Sequence, residues 1–365
     1  MRKKVAVILP YFGNGGAENM VAHLVSHINL NKVNMQVYCI FGKPLRNHLE
    51  KEVQEHGVKI IFIGKKLGFS IKAVFNLYKE LNKFDPDIVH THLMGCMYAT
   101  PWVFFHKVKM LHTLHSIPEA ENRNIIRRLT TKFLYKIKKA IPVAISEENK
   151  KLISEYYNLK LNSVEVVNNP VITLKYYHNE NSKKVITLIT VGRLSKEKNQ
   201  QMLIQAFYEV KKVKFGVRLV IVGDGVERKR LEEKVHSLEL DDSVTFVGNV
   251  TDVENYLCNA DIFLLSSLYE GIPLAILEAM AAKLPIIATN VGGIKDIVTN
   301  NGILVPSENI EEMKKAILKL VENPKLIKEM GLNSLLNVKK YDINNIVKNY
   351  TILYEKYSIE RNGIC

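Results

Sequence analysis

Short apolar runs alternate with longer amphipathic stretches along almost the whole chain, and this alternation constrains its fold more than any other feature. KVAVILP, NMQVYCIF, VKIIFIG, PDIVHTH, KMLHTLHS and KAIPVAIS read as strands; GGAENMVAHLVSHI, SIKAVFNLYKELNKF and IIRRLTTKFLYKIKK read as helices between them. Such β-α alternation predicts a parallel sheet covered on both faces. The pattern breaks at NNPVITLKYYHNENSKK, residues 168–184, which is polar, holds a proline and has no period, as a linker would. A second set follows: VITLITVGRL, VRLVIVGDG, VTFVGNV, ADIFLLSS, LPIIATN and GILVP. The expectation is an α/β protein of two Rossmann-like domains facing a central cleft, over residues 1–170 and 180–341. The last residues carry Ile346, Tyr350, Leu353 and Tyr357 at helical spacing. In such sheets ligands bind outside the carboxyl ends of the strands.

Length and composition agree with this reading. A chain of 365 residues is long for one core, and 47% hydrophobic with 24% charged residues is a globular composition. Cys39, Cys96, Cys258 and Cys365 are scattered without a CxxC pair, which argues against a zinc site or disulfide framework and for a reducing compartment. The apolar run Val5–Leu9 is too short for a signal peptide core and Pro10 follows it. No stretch reaches the roughly 18 apolar residues of a membrane span. The net charge of +14 is uneven: residues 1–180 hold 26 Lys and Arg against 14 Asp and Glu, residues 181–365 hold 25 against 23. The basic half should attract something anionic, whether nucleic acid, a lipid surface or a phosphorylated substrate.

EGIPLAILEAM, residues 270–280, places two carboxylates around a helix start. Gly271 and Pro273 suit that start, and the amides of Leu274 and Ala275 would be open donors at the positive end of the helix dipole. Eight residues separate Glu270 from Glu278, an offset of about 80° past two full turns, so both can serve one ligand. TVGRLSKEKN, residues 190–199, ends a strand at Val191, bends at Gly192, and sets Arg193 and Lys198 in one loop, a pairing that suits a diphosphate.

YFGNGGAEN follows the first strand, where Gly13, Gly15 and Gly16 allow close backbone approach. It is not a dinucleotide fingerprint, because Glu18 stands at the third glycine position; VGDGVE fails likewise at Arg228. His90, His92, His112 and His115 lie at strand ends. An HxH pair on one strand face is a conceivable metal site, but no acidic ligand lies nearby in sequence. A histidine that meets a sugar hydroxyl or phosphate is the better reading, above all for His115. No hydrolase elbow, zincin helix or P-loop pattern is present.

Taken in order, GGAEN, DIVHTH, TLHS, VAIS with VVNNPV, VGRLSKEKN, IVGDG, VTFVGNV and the glutamate pair followed by EAMAAKLPIIATNVGG resemble glycosyltransferase family 4, over nearly the whole chain. That resemblance implies the GT-B fold, with residues 342–365 crossing back to the first domain, and retaining transfer from a nucleotide-sugar, with no metal required. It implies that Arg193 and Lys198 hold the diphosphate and Glu278 the ribose. Glu270 would contact the transferred sugar, and Gly271, Ile272, Pro273, Leu274 and Ala275 would form the loop offering amides. Gly15 and Gly16 would approach the donor, His115 its sugar, and Val247 its base, with UDP favoured. Lys283-Leu284 stands before Pro285 where many members carry Cys-Gly, a departure that bears on packing. VVNNPV is reminiscent of members that transfer N-acetylhexosamines.

The acceptor is expected at the basic first domain: a saccharide or lipid-diphosphate-linked saccharide in capsule, O-antigen or related bacterial polysaccharide assembly. Within residues 124–140, Ile126, Leu129, Phe133 and Ile137 share one helical face while Arg127, Arg128, Lys132, Lys136 and Lys139 take the rest. Two readings are open: the apolar face packs on its own sheet, or the helix lies on an anionic membrane. The expected location is cytoplasmic, with peripheral attachment to the inner membrane face as the second case. Alternatives are a nucleotide-sugar epimerase, transfer to a small soluble acceptor, and a basic nucleic-acid-binding protein; the last lacks any recognition motif, so no specific nucleic acid is expected.

Overall fold

The computed structural model describes residues 2–13, 15–42, 48–66, 68–121, 125–176 and 185–359. The chain divides into two compact units, Met1–Pro170 with Ile343–Cys365, and Val171–Asp342.

The first unit runs β1 (Lys3–Leu9), α1 (Gly16–His27), β2 (Val33–Phe41), α2 (His48–Glu55), β3 (Lys59–Lys65), α3 (Ile71–Phe84), β4 (Ile88–His92), α4 (Gly95–Phe105), β5 (Met110–Leu114), α5 (Pro118–Glu121), α6 (Ile125–Lys136), β6 (Ala140–Ala144), α7 (Glu147–Tyr157) and β7 (Glu165–Val166). Its seven strands pair in parallel in the order β3-β2-β1-β4-β5-β6-β7. Side chains alternate across a strand, so β1 feeds two cores at once. Ala6 and Ile8 enter a cluster with Leu77 of α3, Trp102 of α4, Leu134 of α6 and Tyr157 of α7. Val5, Val7 and Leu9 are equally buried and face the other way.

The second unit runs β8 (Ile186–Val191), α8 (Gln200–Lys211), β9 (Val217–Val222), α9 (Arg228–Ser237), β10 (Val244–Gly248), α10 (Val253–Cys258), β11 (Ile262–Leu265), α11 (Leu274–Ala281), β12 (Ile286–Thr289), β13 (Gly302–Val305), α12 (Ile310–Val321) and α13 (Pro324–Asn337). Six parallel strands pair as β10-β9-β8-β11-β12-β13. Helices α8, α9 and α12 cover one face, and α10 and α11 the other. The last helix, α14 (Ile343–Tyr357), belongs to the first unit, where Ile346, Tyr350 and Leu353 are buried. Its Tyr354 hydroxyl lies 2.8 Å from His90 Nδ1.

Three sequence expectations change. Part of the expected linker belongs to the second unit: Val171 N donates to Tyr341 O at 2.9 Å, Thr173 Oγ1 donates to Asp342 Oδ2 at 2.6 Å, and Tyr176 packs on the α11 core. Residues 177–184 lie outside the described residues. Helix α4 carries no helical signal because it is apolar nearly all round and holds Pro101 inside. The third change concerns α6. Of the two readings of its apolar face, packing on the sheet is overturned: that face is exposed, and Thr131, Leu134 and Tyr135 are buried in its place. Arg127, assigned to the polar face, turns inward to Glu121 at 3.6 Å. Lys139 is also removed from the surface set, since its Nζ donates to Val103 O at 3.3 Å and His106 O at 2.5 Å and closes the end of α4.

Candidate functional site

In the second unit the strand order reverses between β8 and β11, so their connections leave in opposite directions and open a crevice at the carboxyl ends. The loop after β8 and the loop after β11 are tied together there. Ser266 Oγ donates to Lys198 O at 2.9 Å and to Asn199 O at 3.0 Å, and Leu268 N donates to Glu197 O at 2.8 Å. Across this seam Lys198 Nζ meets Glu270 Oε1 at 2.5 Å, and Ser267 Oγ donates to the same oxygen at 2.6 Å. Thr289 Oγ1, at the end of β12, donates to Ser267 O at 2.6 Å. The NVGG turn completes the seat. Gly292 has φ +53°, and a Cβ there would overlap Glu270 O; Gly293 N donates to Gly271 O at 3.1 Å.

Helix α11 starts directly after this cluster. Pro273 occupies its N-cap, and no side chain among the described residues caps it. Gly271, Ile272 and Pro273 are buried, while Leu274 and Ala275 are half-buried at the first turn. The positive helix end therefore adjoins the Lys198–Glu270 pair, an arrangement suited to an anion. Glu278 is half-buried farther along the same helix. Tyr176 lies close to it: burial raises the tyrosine's pKa, and the Glu278 and Glu254 charges raise it further. Arg193 is exposed at the start of the β8 loop, held by Gln200 Nε2 donating to its carbonyl at 2.9 Å. Val247 stands two strands away as the extra residue of a β-bulge in β10, between Phe246 and Gly248. The glycines of VGDGVE serve packing, since a Cβ on Gly223 would overlap Gly192 O and one on Gly225 would overlap Leu194 O.

In the first unit, Gly15 caps α1 and Gly16 begins it. The Glu18 carboxylate fills the space that a Cβ on Gly15 would need, so this glycine accommodates its own helix. His115 follows β5, and its Nε2 lies 2.9 Å from His92 Nδ1. Burial lowers His115 to about 4, so the ring is neutral near pH 7. Both nitrogens of His90 are engaged, Nδ1 by Tyr354 and Nε2 by Thr113 Oγ1 at 2.9 Å. Among the described residues no three His, Cys, Asp or Glu side chains are grouped to hold a metal ion. Glu121 Oε1 accepts from the amides of His115 and Ser116 and so shapes the loop after β5. Burial raises Glu121 to about 7 against the pull of Arg127 and those two amides.

Sequence reasoning passed over Ser267, Thr289, Tyr176 and Glu121. Adjacent hydroxyls at the end of an apolar strand, as in FLLSS, were the available signal for the first.

Two family models match the chain. One described as Glycosyl transferases group 1 matches residues 176–335, and one described as Glycosyltransferase Family 4 matches residues 14–173. An uncharacterized glycosyltransferase of Haemophilus influenzae is 29% identical over 95% of this chain and 99% of its own length. The UDP-Gal:alpha-D-GlcNAc-diphosphoundecaprenol alpha-1,3-galactosyltransferase of Escherichia coli is 26% identical over 82% of this chain and 83% of its own. Anabaena Alr3699/HepE, solved in complex with UDP, superposes with a TM-score of 0.84 at 17% identity, over 97% of this chain and all of that one.

Proposed function

Since the chain is a glycosyltransferase of the GT-B fold, we propose that it transfers a sugar with retention from a UDP-sugar to a saccharide or lipid-diphosphate-linked saccharide in bacterial polysaccharide assembly. One observation carries the donor reading: Lys198, Glu270 and Ser267 meet at the open N-terminus of α11, at the strand-order reversal. The UDP of the Anabaena neighbour and the UDP-Gal and diphosphoundecaprenol in the E. coli relative's name support the choice of donor and acceptor.

Departure of the diphosphate places negative charge on a phosphate oxygen. Arg193, Lys198 and the α11 N-terminus would supply positive charge to that oxygen, so the reaction so read requires no metal ion. Without donor, Glu270 neutralises Lys198. A diphosphate takes over the ammonium and leaves Glu270 an acceptor for the sugar's hydroxyls. Glu278 takes the ribose hydroxyls. We assign neutral His115 to the sugar. The acceptor hydroxyl bonds to the anomeric carbon as the bond to the diphosphate breaks, and its proton passes to the leaving phosphate oxygen.

A thermal-shift panel of nucleoside diphosphates and nucleotide-sugars tests this on the native protein, Arg193→Ala and Glu278→Ala. UDP should raise the native melting temperature and should do so much less in either variant. If no nucleoside diphosphate stabilises the native protein, the donor assignment is wrong. Incubation with donor alone separates transfer from epimerisation, which needs no acceptor.

A further inference from the structure

Helix α6 is amphipathic in the unexpected sense. Ile125 is 65% exposed, Ile126 63%, Leu129 59% and Phe133 50%, and Ile137 just beyond the helix is 41% exposed. At 100° per residue, the four within the helix fall in an arc of roughly 100°, and the buried Thr131, Leu134 and Tyr135 fall outside it. The neighbouring helix extends the patch: Phe104 is 47% exposed and Phe105 75%, and the Phe104 ring lies 6.5 Å from that of Phe133. A contiguous run of large exposed apolar side chains marks an interaction surface.

The charges carried by the α6 segment itself have one sign. Residues 122–146 contain no Asp or Glu. On the helical wheel Lys132 falls roughly 20° outside the Ile125 edge of the apolar arc and Lys136 roughly 20° inside it, one turn beyond Phe133. Lys136, Lys138 and Lys107 are exposed, and none of these four lysines pairs with an acid among the described residues. Apolar side chains set among unpaired lysines match the two layers of an anionic lipid surface, with acyl chains below and phosphates above.

We infer that the α4–α6 face of the first unit docks on an anionic bilayer, with Phe105, Ile126, Leu129 and Phe133 entering the interface and Lys132 and Lys136 meeting lipid phosphates. No helix among the described residues is long and apolar enough to cross a membrane, so this contact is peripheral.

Flotation with phosphatidylglycerol vesicles and with phosphatidylcholine vesicles, at low and high salt, tests the inference. The full chain should float with the anionic vesicles only, and less at high salt. Leu129→Ser with Phe133→Ser, and separately Lys132→Glu with Lys136→Glu, should each weaken the partition by about tenfold or more at an unchanged melting temperature. Failure to float with anionic vesicles at low salt overturns it. So does equal flotation of both double variants, or a dimer in light scattering that either variant dissociates, since a second copy would then own the face. The readout uses neither donor nor acceptor, so its failure leaves the sugar-transfer reading intact.

Discussion

His92 Nδ1 lies 2.9 Å from His115 Nε2, and the other nitrogen of His92 is buried with no hydrogen-bond partner among the described residues. Burial holds both rings neutral, so one hydrogen lies between the two nitrogens. A buried N–H without an acceptor is the less tolerated defect, which places the His92 hydrogen on Nδ1. His92 then donates to His115 Nε2, and His115 carries its own hydrogen on Nδ1, the donor that the proposed sugar contact calls for. Imidazole 15N shifts should show both rings as the Nδ1–H tautomer. His92→Phe should lower kcat/KM about fivefold, the worth of one neutral hydrogen bond, and less than His115→Ala does. Nε2–H on His115 in the native protein would refute this assignment.

The Lys198–Glu270 pair predicts an asymmetry between two variants. Lys198→Met leaves a carboxylate that, among the described residues, Ser267 alone holds, and removes the cation proposed for the diphosphate, so UDP affinity should fall about tenfold to a hundredfold. Glu270→Gln keeps the shape and frees the lysine, so calorimetry should show UDP binding retained while transfer is lost. Equal loss of UDP binding in both variants would contradict separate roles.

Gly292 combines a left-handed φ with a backbone oxygen where its Cβ would stand. Gly64 has φ +80° and open space. Urea unfolding should therefore give about 1 kcal/mol for Gly64→Ala, from conformation alone, and about 3 kcal/mol for Gly292→Ala. The second variant should also lose activity, since the Glu270 carbonyl must move.

The buried histidines predict acid lability. His90 and His112 are lowered to about 3 and His115 to about 4, chiefly by burial, and His92 falls well below the ordinary value. Below about pH 6.5 the unfolded chain takes up protons that the folded chain refuses, so stability present above that pH is lost as pH falls toward 4. Each histidine contributes a slope of up to about 1.4 kcal/mol per pH unit. Glu121, raised to about 7, acts oppositely, because the folded state holds its proton between about 4.5 and 7. The net effect is a loss. Urea unfolding at pH 7.5, 6.5, 5.5 and 4.5 should show proton uptake above one per molecule; a flat profile would mean that the rings ionise in the folded state.

The sequence by itself determined the two parallel α/β units and the strand ends that carry Arg193, Lys198 and Glu270, because hydrophobic period and turn residues act locally. Only the tertiary structure decided that Lys198 meets Glu270 across 72 residues and that His92 meets His115. Strand order brings those loops side by side, and no local pattern encodes strand order. Tertiary packing also decided which side of α6 is buried. The apolar stripe Ile126–Leu129–Phe133 marks a face without saying what covers it. Thr131, Leu134, Tyr135 and the Arg127–Glu121 pair occupy the packed side, and the stripe is left to solvent. An amphipathic period records that a helix has two sides; the neighbours it packs against decide which one is the inside.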